Sequence, residues 1–342
     1  MAKDIGIDLG TSTTNIFIKD RGIVLSEPSV VAVNTNTGKP IAVGTAAERM
    51  IGRTPPSIST VRPVRKGAIA DFETAEFMLR YFLAKACGLS INFGSTRMIL
   101  SVPTKISEVE QLAVLEAAKS SCRKPAKAVP RLIEEPLASA IGADLPLTAE
   151  NAEGSMIVDV GGGTTEVAVI SMGSIIVGDS ATVGGEDFDA QVVNYMRNEH
   201  NLLIGEETAE TVKIKAGCVF PQMQEKYIDV YGRDMITGLP GNVRVQSSEL
   251  IEPFRDPAIQ IVECVKSVLD GLPPEISADI VRNGITMAGG GSLLAGLPEF
   301  LRTETNVPVK VADGAQYCTA EGIGRCLSDL SLRQLLNAGR SA

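Results

Sequence analysis

Ile7-Asp8-Leu9-Gly10-Thr11-Ser12-Thr13-Thr14 returns later in the chain as Val158-Asp159-Val160-Gly161-Gly162-Gly163-Thr164-Thr165, with Asp, Gly and both Thr superposed at a constant offset of 151 positions. β-formers lead into each copy (Ile5, Ile7; Met156, Ile157, Val158) and out of it (Ile16, Phe17, Ile18; Val167, Ala168, Val169, Ile170). Each copy therefore predicts a strand, a Gly/Thr turn and a returning strand. Two such hairpins half a chain apart predict a duplicated α/β architecture.

A turn of Gly and Thr presents backbone N–H groups and hydroxyls without bulk, which is what a phosphate oxygen needs at close approach. Two facing turns could clamp one polyphosphate. Asp8 and Asp159 each end a strand just before their turn, where carboxylates can hold a divalent ion, through water because Mg²⁺ keeps much of its hydration shell. A third element, Gly289-Gly290-Gly291-Ser292, follows the β-formers Ile285 to Ala288 and precedes Leu293-Leu294. It predicts a strand, a glycine turn and a helix start, whose N-terminus favours anionic groups. The run is not G-x-G-x-x-G, which disfavours a dinucleotide fold.

Between these elements strands alternate with helices. Ser107 and Glu110 form a capping box opening an Ala-rich helix through about Lys119, preceded by a strand from Met98 to Val102. Residues 29–66, rich in Val, Thr, Gly and Pro, predict a small β-containing insertion. A second insertion, about 178–243, holds a helical run from Asp187 to Asn198 and ends in the turn Gly238-Leu239-Pro240-Gly241. An apolar-periodic helix, Ile259 to Gly271, stops at Pro273-Pro274.

Composition narrows the function. The 342 residues carry a net charge of −9 and are 44% hydrophobic, with 21% charged. An acidic protein repels the phosphate backbone, so no nucleic-acid partner is expected. The one basic patch, Arg62, Arg65 and Lys66, predicts a solvated loop. The single histidine, His200, excludes schemes that need two imidazoles and is expected at a surface helix end. Six cysteines lack C-x-x-C spacing and predict buried thiols in a reducing compartment. With no signal peptide and no apolar run of about 20 residues, a cytoplasmic location is expected.

The order of an Asp-Leu-Gly-Thr hairpin, a Glu-Pro segment, an Asp-Val-Gly-Gly-Gly-Thr-Thr hairpin and a Gly-Gly-Gly-Ser turn resembles the actin, sugar-kinase and seventy-kilodalton heat-shock chaperone superfamily. Within it the chain is most similar to the MreB/Mbl bacterial actins, through Gly22 to Val31, Leu132 to Pro136, Asp159 to Ser171, Gly184 to Asp189 and Thr208 to Lys213. The likeness spans nearly the whole chain. It implies an actin-like ATPase fold of two ribonuclease H-like α/β halves: residues 1–143 with about 315–342, and residues 144–314. The small insertions fall one in each half, with a nucleotide cleft between the halves.

The resemblance also implies site roles. ATP or GTP with Mg²⁺ would sit between the turns Gly10, Thr11, Ser12, Thr13, Thr14 and Gly161, Gly162, Gly163, Thr164, Thr165. Glu135 would face the attacking water, with Thr164 helping to place it. Gly185, Glu210, Lys213 and the Gly289 to Ser292 turn would border the nucleoside. An unperturbed Glu, with a pKa of about 4.3, is a weak base at neutral pH, so orientation of water is the expected role. Pro136 should hold Glu135 extended. Taken without the resemblance, Glu135 could be a helix-start acid, and Glu210 with Lys213 an exposed i,i+3 pair.

Three departures from the family pattern stand out: Thr13 replaces the usual Asn, Tyr317-Cys318-Thr319 replaces small apolar residues, and the stretch from Thr148 to Glu153 is lengthened. The family implies slow ATP hydrolysis, self-assembly into filaments on the inner face of the cell membrane, and work with the cell-wall synthesis machinery in setting rod shape. Ile5 already belongs to the first strand, so Leu89, Ile91 and Phe93 are the candidate membrane contact. A small-molecule kinase on the same fold is the alternative, although no motif supplies its base or sugar pocket. A chaperone would need a further β domain beyond Ala342.

Overall fold

Strand Lys3–Leu9 turns at Gly10 and returns as Thr13–Ile18; strand Ser155–Val160 turns at Gly161 and returns as Thr165–Ser171. In the computed structural model, which describes residues 3–88, 96–122, 124–148, 150–221, 224–329 and 332, the two hairpins share one register. Asp8 faces Asn15 and Leu9 faces Thr14; at the same offset Asp159 faces Glu166 and Val160 faces Thr165.

Each hairpin lies in a five-stranded sheet of the same order. The first runs Gly22–Pro28, Thr13–Ile18, Lys3–Leu9, Thr96–Val102, Ala128–Glu134; the second runs Ser174–Ala181, Thr165–Ser171, Ser155–Val160, Ile285–Ala288, Val309–Val311. In each, three antiparallel strands are followed by two parallel ones. Parallel neighbours need a crossover, and helix Glu108–Ser120 provides one between Thr96–Val102 and Ala128–Glu134. Its start is set by the Ser107 and Glu110 capping box, in which Glu110 accepts from Ser107 N at 2.9 Å.

Alternation along the strands assigns the cores. Ile5 and Ile7 pack with Met78 and Phe82, and Val158 packs with Phe188, Val192 and Ile261. The opposite faces, with Ile99, Ile133, Ile157 and Ala168, meet a shared core that includes Leu137, Ile141 and Ile323. That shared core is built by two helices, Glu135–Gly142 and Cys318–Ser328, which lie between the sheets and cross at glycines. A Cβ on Gly142 would fall 2.8 Å from Cys318 Cα, and one on Gly322 would fall 2.7 Å from the Ala138 carbonyl carbon.

The first insertion forms a three-stranded sheet of Pro40–Val43, Val31–Asn34 and Ile58–Val61, then a short hairpin, Val64–Arg65 with Ala68–Ile69. The second holds helices Gly185–His200 and Glu206–Ala216 and strands Leu202–Leu203, Tyr227–Asp234 and Pro240–Gln246. Three expectations are corrected here. Strand Ser174–Ala181 runs through position 178, the turn at Gly238 is a hairpin tip whose return strand continues to Gln246, and helix Arg255–Asp270 begins four residues early. Among the described residues no helix is long and apolar enough to cross a membrane.

Candidate functional site

The two Gly/Thr turns close alike and meet. Gly10 N donates to Thr13 O at 3.2 Å, and Gly161 N to Thr164 O at 2.8 Å. A Cβ on Gly162 would lie 2.8 Å from Ser12 Cβ, and one on Gly163 would lie 2.8 Å from Thr11 Oγ1. The backbone of the second turn therefore touches the side chains of the first. Helix Gly185–His200 begins on the same spot, with Gly185 N donating to Gly161 O at 3.0 Å and Glu186 N to Gly162 O at 2.8 Å. Its positive end thus points toward the turns.

Two predicted contacts turn out to be braces. Thr14 Oγ1 lies 2.8 Å from Ser29 Oγ, which donates to Gly10 O at 2.7 Å. Thr165 Oγ1 donates to Val183 O at 2.8 Å. Both threonines are fully buried, so their hydroxyls support the turns from behind instead of facing a ligand. Thr13, the departure from the family pattern, is exposed.

Behind the turns the acids converge. Asp8 accepts from Asn15 Nδ2 and from Ser101 Oγ, each at 3.0 Å. Burial, aided by the charge of Asp159, pushes its pKa up to about 6. Asp159 is also raised by burial, against hydrogen bonds from Ser139 and Thr319. Glu135 is held well above the ordinary glutamate range by burial and by the charges of Glu166, Asp8 and Asp159. An acid so placed holds a proton more tightly than a free Glu, which makes it a stronger base when ionised and widens the roles open to it beyond orientation of water. Glu135 is also the first residue of helix Glu135–Gly142, so the extended residue before the bend is Glu134 (φ −69, ψ 133). Proline in the first helical turn is tolerated there, since its missing N–H has no intrahelical partner.

Glu166 escaped the sequence reading. It is 1% exposed and accepts from Thr104 N at 3.0 Å and Ser180 Oγ at 2.6 Å. The signal was present: the repeat offset maps Asn15 onto Glu166, a lone charge in an otherwise apolar strand.

Asp8 and Asp159 suit a hard divalent cation. Both offer carboxylate oxygens, the hard donors such an ion prefers, and the charge of Asp159 adds to the burial that raises Asp8. Among the described residues no three acidic, His or Cys side chains form a cage; two acids beside phosphate oxygens and water is a Mg²⁺ arrangement. The sign of the strain is testable without nucleotide or metal. A carboxyl raised from 3.8 to about 6 binds protons preferentially in the folded state, so stability falls as pH rises from about 4 to 6 and then levels, by about 3 kcal/mol. Asp8→Asn should therefore match the wild type in urea unfolding near pH 4 and exceed it by about 2–3 kcal/mol at pH 7. Equal stability at both pH values would show that Asp8 carries no such burden.

The glycine turn after Ile285–Ala288 lies against the second hairpin: a Cβ on Gly289 (φ +79) would meet Val160 C at 2.7 Å, with Asp159 Oδ1 closer still. Gly290 to Leu293 form a single 3₁₀ turn, and the α-helix starts later, at Leu297–Thr305. Three glycines are poor helix formers, which explains the delay. Gly290 is open above, and Gly291 packs on Val160. Ser292 Oγ donates to Gly289 O at 2.7 Å and so closes the turn.

Lys213 joins the site through Gly185, donating to its carbonyl at 3.0 Å and to Asp189 at 2.8 Å. Its ion-pair partner is Asp189 rather than Glu210, whose charge lies near enough to raise Asp189 and Glu48. The basic patch is solvent-exposed at Arg65 and Lys66, as expected, but is tied down by ion pairs: Lys66 pairs with Asp187 at 2.7 Å and donates to Thr182 O at 3.0 Å, and Arg62 lies 3.7 Å from Glu186. It bridges the first insertion to the helix that starts on the second turn. His200 ends that helix, against Tyr195 and Glu249. Five of the six cysteines are buried and Cys122 is half-buried. Leu89, Ile91 and Phe93 lie outside the described residues.

The family model described as MreB/Mbl protein matches residues 2–334. The chain belongs to the MreB/Mbl family. Among MreB/Mbl relatives, cell shape-determining protein Mbl of Bacillus subtilis (strain 168) is 46% identical over 329 residues, covering 96% of this chain and 97% of its own. Cell shape-determining protein MreB of Escherichia coli (strain K12) is 41% identical over 335 residues, covering 97% and 95%. The crystal structure of MreB5 of Spiroplasma citri bound to ADP superposes with a TM-score of 0.90 at 32% identity, over 98% of each chain. The fold is therefore actin-like. The MamK double helical filament, with a TM-score of 0.78 at 22% identity over 96% of this chain and 100% of its own, agrees on the fold.

Proposed function

We propose that this MreB/Mbl protein is a polymerising ATPase. It binds ATP or GTP between its twin turns, hydrolyses it slowly, and forms filaments that organise cell-wall synthesis and rod shape at the inner face of the cell membrane. The observation that carries this is the meeting of two turns of one register, Gly162 on Ser12 and Gly163 on Thr11. Support also comes from relatives named as cell shape-determining proteins and from MreB5 of Spiroplasma citri, solved with ADP and with AMPPNP.

In this proposal Ser12, Thr13, Gly161 to Gly163 and Thr164 surround the β- and γ-phosphates. Asp8 and Asp159 would hold Mg²⁺ through water, and the ion would neutralise phosphate charge. Glu135 takes the proton of the attacking water, and Thr164 helps to place it. Gly185, Glu210, Lys213 and the Gly289 to Gly291 turn border the nucleoside. The halves are taken as residues 1–143 with about 315–342, and 144–314.

Leu89, Ile91 and Phe93 are proposed to enter the headgroup region. One such loop binds weakly, and a filament multiplies it. Addition of ATP and Mg²⁺ should give sedimentable polymer that also pellets with liposomes. The triple change of Leu89, Ile91 and Phe93 to Ser should retain the polymer and lose the liposome pellet. Sugar-stimulated ADP release without polymer would instead identify a small-molecule kinase.

A further inference from the structure

The floor of the cleft carries a hydroxyl pair that the proposed chemistry does not use. Ser139 lies on helix Glu135–Gly142 and Thr319 on helix Cys318–Ser328, the two helices packed between the sheets. Their oxygens are 2.7 Å apart, and both reach Asp159 Oδ2. Thr319 Oγ1 donates to it at 2.9 Å, and Ser139 Oγ donates in a shorter contact. Ser139 is fully buried and Asp159 is 7% exposed, so water does not compete freely for these bonds.

Proton arithmetic gives the trio a direction. Three oxygens make three close edges, and with Asp159 ionised only the two hydroxyl protons are available to fill them. A negative carboxylate draws both protons onto itself, because hydrogen bonds to a charged acceptor are about twice as strong as neutral ones. Asp159 Oδ1, the other oxygen, lies close to where a Cβ on Gly289 would stand, so only glycine leaves room for it there.

We propose that Ser139 and Thr319 are positioning residues for Asp159, one from each connecting helix, which fix the orientation of its carboxylate for a divalent cation at the cleft. The inference rests on the nucleotide site proposed above. Because the helices cross at Gly142 and Gly322, sliding one along the other would draw one hydroxyl from Oδ2. Cation affinity and the packing of the two helices are thereby linked.

The test is the Mg²⁺ concentration needed for half-maximal binding of a fluorescent N-methylanthraniloyl-ATP, measured on the full chain. Thr319→Val keeps the side-chain volume and loses the hydroxyl; Ser139→Ala loses the other. Each should raise the Mg²⁺ midpoint about fivefold, and the double variant more, as expected for lost hydrogen bonds to a charge. Thr319→Ser should return to within about twofold of the wild type. A purely structural role would lower the melting temperature of Thr319→Val and leave the Mg²⁺ midpoint unmoved, and that outcome overturns the proposal. If the double variant does not fold, Thr319→Val alone decides. Nucleotide binding by the wild type with no Mg²⁺ dependence would overturn both this role and the cation site, whereas a Mg²⁺-dependent wild type with unshifted variants overturns only the positioning role.

Discussion

Replacing Glu135 by Ala is expected to slow phosphate release by about 10²–10³-fold while ATP still binds within about threefold of the wild-type affinity, the loss typical of a removed general base. The reason is electrostatic. Glu135 opens a helix beside three other carboxylates, and burial together with Glu166, Asp8 and Asp159 raises its proton affinity. Glu135→Gln separates the two available roles, because an amide can still orient water but cannot accept its proton. A slow Gln variant indicates base catalysis; a near-normal one indicates orientation alone. Glu166→Gln removes the largest neighbouring charge and should move the acid limb of the pH–rate profile to lower pH, since Glu135 would then ionise more readily. An unchanged rate in Glu135→Ala, measured as phosphate release from polymerising protein, would remove Glu135 from the mechanism.

Gly322→Ala is expected to be the most destabilising single methyl in the described structure. The new Cβ would overlap the Ala138 carbonyl and stand 2.9 Å from Gly142 N, and neither group can swing away because both are helix backbone. The helices would have to separate, opening the core shared by Ile133, Ile157 and Ile323. A cost of about 3 kcal/mol or more follows, at the upper end of overpacking effects. In a thermal melt this corresponds to a midpoint lower by about 5–10 °C. Gly52→Ala and Gly205→Ala make the comparison, since a Cβ there meets nothing within 4 Å. Gly205 has ordinary extended backbone (φ −92) and should change little, whereas Gly52 (φ +69) isolates the cost of left-handed strain without a clash. A Gly322→Ala melt within about 2 °C of the wild type would show that the crossing is loose.

The hairpins were legible because a repeat of identities also repeats its register: once Asp8 and Asp159 align, Asn15 and Glu166 must face them. The sheet order was not, since parallel pairing joins Lys3–Leu9 to Thr96–Val102 across some ninety intervening residues without a local signal. Side-chain duties divided along the same line. Glycines at Gly162 and Gly163 were readable as close-approach positions, but the hydroxyls of Thr14, Thr165 and Ser292 look identical in sequence to ligand contacts and are spent on Ser29, Val183 and Gly289. The ion pair of Lys66 left no local signal, because its partner, Asp187, is 121 positions away. Pro136 does not hold Glu135 extended: it sits in the first helical turn, where its missing N–H costs nothing, and the extended residue is Glu134.

One geometry carries the proposed function, a triphosphate held from both sides by the turns at Gly10 and Gly161. A crystal structure with AMPPNP and Mg²⁺ tests it most directly. The predicted result places backbone N–H groups of both turns within hydrogen-bond distance of the β- and γ-phosphates, with Asp8 and Asp159 behind the ion. A triphosphate contacting one turn alone, or an empty cleft at saturating AMPPNP, would contradict it.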